Sequence, residues 1–336
     1  MAGNARFLFA KESTYGTAPA SGWRQIEVAT DDHKARPLDD SLTYRGIAPA
    51  RGAPSVASVR VNDFMGGEGT IDVPAMANSQ GLFWRAAAST SASAVVSGGT
   101  DAYEQVYEFD GTSAPTGTSL STEVYRDRRD GTLDAYTFTG GKVTQVDISQ
   151  DTSGHVMLKF AMDYLDAQRQ GSLPSRSETT PDPGFLYAWP DATITLTPDG
   201  GSDADECLQS FELSLPLGLD LEDWCIKSGT PRHEPTRKET PAPTGAVNWK
   251  YQAPTYYDAF KAGTIFTLSA YWEGPTAIED TTYPSLKIDV PAIRFTGEDP
   301  QVSVDNPTMQ NLPFQVLDND TDPPVTVTII TSDTAA

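Results

Sequence analysis

The stretch that decides the fold class runs Val143-Thr144-Gln145-Val146-Asp147-Ile148-Ser149, passes Asp151-Thr152-Ser153-Gly154, and returns as His155-Val156-Met157-Leu158-Lys159-Phe160-Ala161-Met162-Asp163-Tyr164. On the returning arm Val156, Leu158, Phe160, Met162 and Tyr164 share one side of a period-two pattern, with His155, Lys159 and Asp163 opposite. Successive side chains of a strand point to opposite faces, so the alternation predicts an antiparallel hairpin with one buried and one wet face.

Four further segments repeat the pattern. Phe211, Leu213, Leu215 and Leu217 alternate with Glu212, Ser214 and Pro216, and Phe266, Leu268, Ala270 and Trp272 with Thr267, Ser269 and Tyr271. Leu286, Ile288 and Val290 alternate with Lys287 and Asp289, and Val325, Val327 and Ile329 with threonines. Turn formers stand beside such runs at Asp130-Gly131, Gly140-Gly141 and Asp199-Gly200, as in hairpin loops. Helical patterning is scarce. It predicts one helix over Asn78–Ala88, capped by Asn78 or Ser79 and presenting Leu82, Phe83 and Ala86, and a shorter one over Thr255–Ala262 stopped by Gly263. The fold class is therefore mainly β: an antiparallel sandwich or barrel-like fold with one or two short flanking helices and long loop arms.

Ala29–Pro54, Gln170–Pro183 and Lys227–Thr244 are polar or Pro-rich without a sustained period, and loops of that length tend to be functional arms or disordered segments. Because β patterning brackets all three, the chain reads as one domain over residues 1–336. Its parts are an N-terminal segment and arm (1–54), a first β region (55–226), a Pro-rich loop (227–254) and a C-terminal helix and β region (255–336). One echo exists: Ile71-Asp72-Val73-Pro74-Ala75 recurs as Ile288-Asp289-Val290-Pro291-Ala292, through duplication or through chance.

The 336 residues carry 46 acidic and 24 basic side chains, a formal charge of −22. At 38% hydrophobic and 10% aromatic, the chain still has material for a core, which argues against wholesale disorder. Nucleic-acid affinity is built largely from Lys and Arg, so the acidic excess disfavours a phosphate-gripping role and predicts that DNA is repelled. No apolar run approaches the roughly 18 residues of a spanning helix. Phe7-Leu8-Phe9-Ala10, closed by Lys11 and Glu12, is too short for a signal peptide. Cys207 and Cys225 flank apolar runs and read as buried free thiols, which fits a cytoplasmic origin.

Reactive constellations are missing from the pattern. His33, His155 and His233 are the only histidines, and there is no Gly-x-Ser-x-Gly elbow or Cys-x-x-Cys pair. Gly66-Gly67-Glu68-Gly69 has no P-loop lysine and reads as a strand turn. Asp318-Asn319-Asp320-Thr321-Asp322 opens like a calcium loop, but Pro323 replaces the required glycine and the closing glutamate is missing. It reads, like the loop from Asp199 to Glu206, as a solvated acidic turn. No catalytic, cofactor-binding or metal residue is assigned, and the chain is not read as an enzyme.

The N-terminal Phe7-Leu8-Phe9-Ala10-Lys11-Glu12-Ser13-Thr14-Tyr15-Gly16-Thr17-Ala18-Pro19 resembles the opening of the major tail (tail tube) proteins of long, non-contractile-tailed bacteriophages. Gly117–Glu123 resembles the strand that opens their central sheet, Asp134–Val143 the tyrosine–glycine turn after it, and Leu286–Leu317 their closing segment. The resemblance implies a β-sandwich subunit that forms six-membered rings, stacked into a hollow tube around a tape-measure protein. It also implies tail-terminator or connector and distal tail partners, a place in the virion tail, assembly in the host cytoplasm, no cofactor and no membrane. DNA would transit the lumen without specific binding.

An acidic bore suits that passage. Asp147, Asp163 and Glu212, each on the polar side of an alternating strand, are the lumen-facing candidates, with the outside of the tube as their other placement. Phe7, Leu8 and Phe9 are candidates for a contact between copies, or for an edge strand within their own subunit. A second function stays open: a virion decoration protein or a carbohydrate-binding adhesin module, with Trp84, Trp189, Trp249 and Trp272 as a sugar platform. Such a module stays small, whereas a tube subunit polymerises.

Overall fold

Gly140 and Gly141 do not turn the chain back, as hairpin glycines would. A single strand, Leu133–Asp151, runs through them and belongs to two sheets. Its first half pairs with Leu120–Asp127 and Asp166–Arg169, its second with Met157–Tyr164 and Ser210–Pro216. Gly140 sits at φ +66°, and the ladder to Leu120–Asp127 shifts register beside it. A Cβ on Gly141 would lie 2.6 Å from the Leu120 carbonyl oxygen. Only glycine permits that approach, so the pair forms a sheet corner.

The computed structural model describes residues 6–36, 66–96, 99–110, 118–180, 182–202, 204–205, 207–223, 225, 232–251, 254–297 and 308–334, with four two-residue strands between 43 and 59. The parts of the two long arms at 37–65 and 226–231, Gly117, and residues 298–307 of the closing segment otherwise lie outside the described residues.

The smaller sheet orders Trp23–Ile26, Arg6–Lys11, Leu120–Asp127, the start of the long strand and Asp166–Arg169. The larger orders Gly67–Pro74, Met157–Tyr164, the end of the long strand, Ser210–Pro216, Thr244–Lys250, Met309–Val316 and the end of Ser285–Phe295. Ser285–Phe295 also branches. One edge continues through Val325–Thr331 and Tyr103–Phe109 to Thr90–Val95, the other through Ile265–Glu273 to Ala192–Pro198. The predicted inward sets are buried in every alternating strand, from Leu158 and Phe160 to Val327 and Ile329. Ile71 and Val73, like Ile288 and Val290, point into the core in the two echo segments.

Helix α1, Gly81–Ala87, fills the space between the sheets. Phe83 meets Phe9 of the small sheet at 4.4 Å and Phe160 of the large one at 5.3 Å between ring centroids. Burying an aromatic of this size contributes roughly 1.5–3 kcal/mol. The expected cap is not made. Ser79 is held at φ +79° with its N–H donated to Asp333, Asn78 bonds the Asp182 carbonyl and the Thr331 hydroxyl, and the helix starts after Gln80 with no side-chain cap. Helix α2, Thr255–Ala262, ends as expected at Gly263 with φ +69°. Its Tyr256 packs on Trp249, Phe266 and Phe295.

Other expectations are corrected. Ala29–Pro54 is not irregular throughout: Thr30–Asp31 and Lys34–Ala35 pair with Gly67–Pro74. Gln170–Pro183 is tied down by Glu178–Thr179, which runs parallel to Trp23-Arg24. Cys207 is exposed and Cys225 half-buried, both free, so neither thiol belongs to the core.

Candidate functional site

Asp147 lies in a cross-strand row: Asp72, Lys159, Asp147, Ser214, Thr244, Gln315 and Arg294, one residue from each of seven adjacent strands. Beside it runs Ser149, Glu212, Ala246 and Pro313. None of these side chains is buried, while Val146, Ile148, Leu213, Leu215, Val247, Leu312 and Phe314 behind them are. Among the described residues nothing covers this side, which forms an open trough lined by Asp147, Glu212, Thr244 and Gln315 together with Ala246, Pro313 and Phe314. Ser214 Oγ and Gln145 Nε2 donate to one Asp147 oxygen at 2.6 and 2.7 Å, which fixes the carboxylate on the sheet.

This face carries charges of both signs. Lys159 stands in register between Asp72 and Asp147, with one carboxylate on each neighbouring strand. Asp72, Asp147 and Glu212 face Lys159 and Arg294, so this surface is only slightly acidic and most of the −22 resides elsewhere.

Asp163 shares the outward parity of Lys159 yet is 2% exposed. Arg36 and Arg232 each donate to one of its oxygens. Arg36, where one long arm leaves the sheet, and Arg232, in the other arm, cover this end of the strand, so Asp163 faces no solvent and its assignment to a wet surface is corrected.

Asp163 belongs to a polar cluster around the sheet corner. Glu12, 3% exposed, accepts from Ser119 Oγ and Ser121 Oγ at 2.6 Å each and from the backbone N–H groups of Gly16 and Gly140 at 2.8 Å each. The turn Glu12–Gly16, with Gly16 at φ +77°, thus clasps the corner. Buried Lys142 pairs with Glu234 and donates to the Thr118 carbonyl; burial lowers its pKa, and Glu234 opposes that shift. His33 bridges Asp31 at Nδ1 and Tyr164 at Nε2. Burial pushes Asp31 up, but hydrogen bonds from His33 and the charge of Arg126 outweigh it and hold the carboxyl below its ordinary value. Burial keeps the Tyr164 hydroxyl well above its own. Sequence reasoning missed this cluster, although Glu12 and Gly16 stood within the motif that carried the resemblance.

A sequence model of the phage tail tube protein family matches residues 3–316, a span that contains both the corner and the polar face. The chain belongs to the phage tail tube protein family. No similar protein emerges among curated sequences. Members of this family are structural proteins of the virion tail that assemble with copies of themselves into a tube, so in a tail tube protein a broad wet sheet face and a rigid corner are features of a building unit.

The remaining candidates take their places in this tail tube subunit. Phe7, Leu8 and Phe9 are buried in their own protomer, on a strand flanked on both sides by Leu120–Asp127 and Trp23–Ile26. Phe7 and Phe9 enter the main core, and Leu8 packs with Trp23 and Tyr125 on the other face of the small sheet. They form neither an edge strand nor a surface open to a neighbour. Trp84, Trp249 and Trp272 are buried and only Trp189 of the four is exposed, so no aromatic platform forms. At Asp318–Asp322 the side-chain oxygens of Asp318 and Asn319 accept backbone N–H groups of the same turn. Among the described residues no three His, Cys, Asp or Glu side chains gather as a metal site, and no helix is long and apolar enough to cross a membrane.

Proposed function

We propose that this tail tube protein forms hexameric rings that stack into the hollow tail tube, through which the genome passes to the host. The whole chain acts as a single unit, and the row from Asp72 to Arg294 faces the bore. One observation carries the reading: a row of polar residues across seven strands, left uncovered by the described residues, on a member of a tube-building family. Contacts between copies bury an apolar centre, whereas a water-filled passage leaves a polar face wet. DNA carries roughly one charge per 1.7 Å. A lining in which Asp72, Asp147 and Glu212 outnumber Lys159 and Arg294 gives phosphates little to grip, and −22 per copy repeated around a ring adds general repulsion.

The same reading includes a tape-measure protein within the growing tube, terminator or connector and distal tail proteins at its ends, and assembly in the host cytoplasm. Sedimentation velocity and negative-stain microscopy of the purified chain test it. Annular particles or hollow rods are the expected result. A chain that stays monomeric over a wide concentration range contradicts it.

A further inference from the structure

We infer that the open edge of the strand Thr90–Val95 receives a strand from a second copy of this chain; the inference rests on the tube reading. All six residues of Thr90-Ser91-Ala92-Ser93-Ala94-Val95 are exposed, and among the described strands only Tyr103–Phe109 pairs with them. The Val96 N–H donates to the Ala102 carbonyl at 2.9 Å, which sets the phase of the ladder. Residues 90, 92 and 94 therefore direct their backbone groups to Tyr103–Phe109, and Ser91, Ser93 and Val95 direct theirs to the open edge.

Edges of proteins that work alone are guarded by charges, prolines or bulges. This strand has no charge and no proline, and its register is unbroken. The uncharged run extends from Ala86 to Thr100 in a chain of formal charge −22. Copies so charged repel one another over most of their surface, so an uncharged edge is where two backbones approach at least electrostatic cost. Serine and alanine side chains leave room for a neighbour at the usual spacing of about 4.8 Å. The alternative geometry, the same edge meeting itself about a twofold axis, closes a dimer. A ring instead needs this edge to meet a different edge of the next copy.

Ser93→Pro removes one outward N–H and keeps the bonds to Tyr103–Phe109, so the variant is expected to fold with an unchanged unfolding temperature. It is expected to need at least about tenfold more protein to assemble than the wild type. In wild-type assemblies, hydrogen exchange at the Ser91, Ser93 and Val95 amides is expected to slow at least about tenfold relative to the unassembled chain. A folded variant that assembles like the wild type overturns the inference and leaves the tube reading intact. Unchanged exchange at those three amides in wild-type assemblies overturns it too, whatever the variant does. A wild-type chain that never assembles overturns both readings, and one that stops at closed dimers overturns the heterologous contact.

Discussion

Glu12→Ala is expected to lower the unfolding free energy by on the order of 5 kcal/mol, a loss a marginally stable fold barely survives. The carboxylate holds four donors, two serine hydroxyls and two backbone N–H groups, at a site closed to water. Alanine leaves all four without that acceptor, and each unsatisfied buried group costs about 1–3 kcal/mol. Hydroxyls of Ser119 and Ser121 can rotate toward other acceptors, whereas the N–H groups of Gly16 and Gly140 are fixed by backbone at positive φ. Glu12→Gln keeps one carbonyl acceptor and the side chain's volume, so its loss is expected to be about half as large. Denaturant unfolding of both variants checks this. A loss below about 1 kcal/mol for Glu12→Ala means that the corner does not depend on the clasp.

Asp163→Ala is the second large effect, expected at about 3–5 kcal/mol. Arg232 is fully buried at its side chain and Arg36 is largely enclosed; both donate to this carboxylate. Removing the acid takes this counter-ion from the buried Arg232 guanidinium, while Arg36 keeps Glu68 at 3.8 Å, and breaking a buried pair in this way costs far more than the pair contributes net. The compensating double variant Asp163→Leu with Arg232→Met removes both charges at similar volume and is expected to recover part of the loss. Equilibrium unfolding of the single and double variants gives the coupling. Additive losses would show that Asp163 and Arg232 act independently, against the geometry.

The strands around Asp147 were legible because each carries a strict two-residue period, and that period reports directly which side chains share a face. Gly263 was legible for the same local reason: a left-handed residue ends a helix wherever the helix lies. What the period does not report is what covers a face. Lys159 and Asp163 have the same parity on the same strand, yet one is wet and the other is sealed beneath two arginines from distant segments. Phe7, Leu8 and Phe9 break the alternation because their strand is buried on both faces, and a contiguous apolar run is equally what an interface offers. Gly140-Gly141 fits a hairpin turn and a sheet corner alike. Long-range partners decide between them: Leu120 and Tyr164 crowd Gly141, and neither adjoins it in sequence. Asn78 lost its predicted capping role to Asp182 and Thr331, again through remote contacts.

Helical reconstruction of the assembled tube by cryo-electron microscopy, at a resolution that places side chains, bears most directly on the assignment of the polar sheet face. Asp147, Lys159, Glu212 and Ser214 are expected at the innermost radius of every copy, wet and unshared with a neighbour. Finding them on the outer wall, or buried between copies while another surface lines the passage, would contradict it.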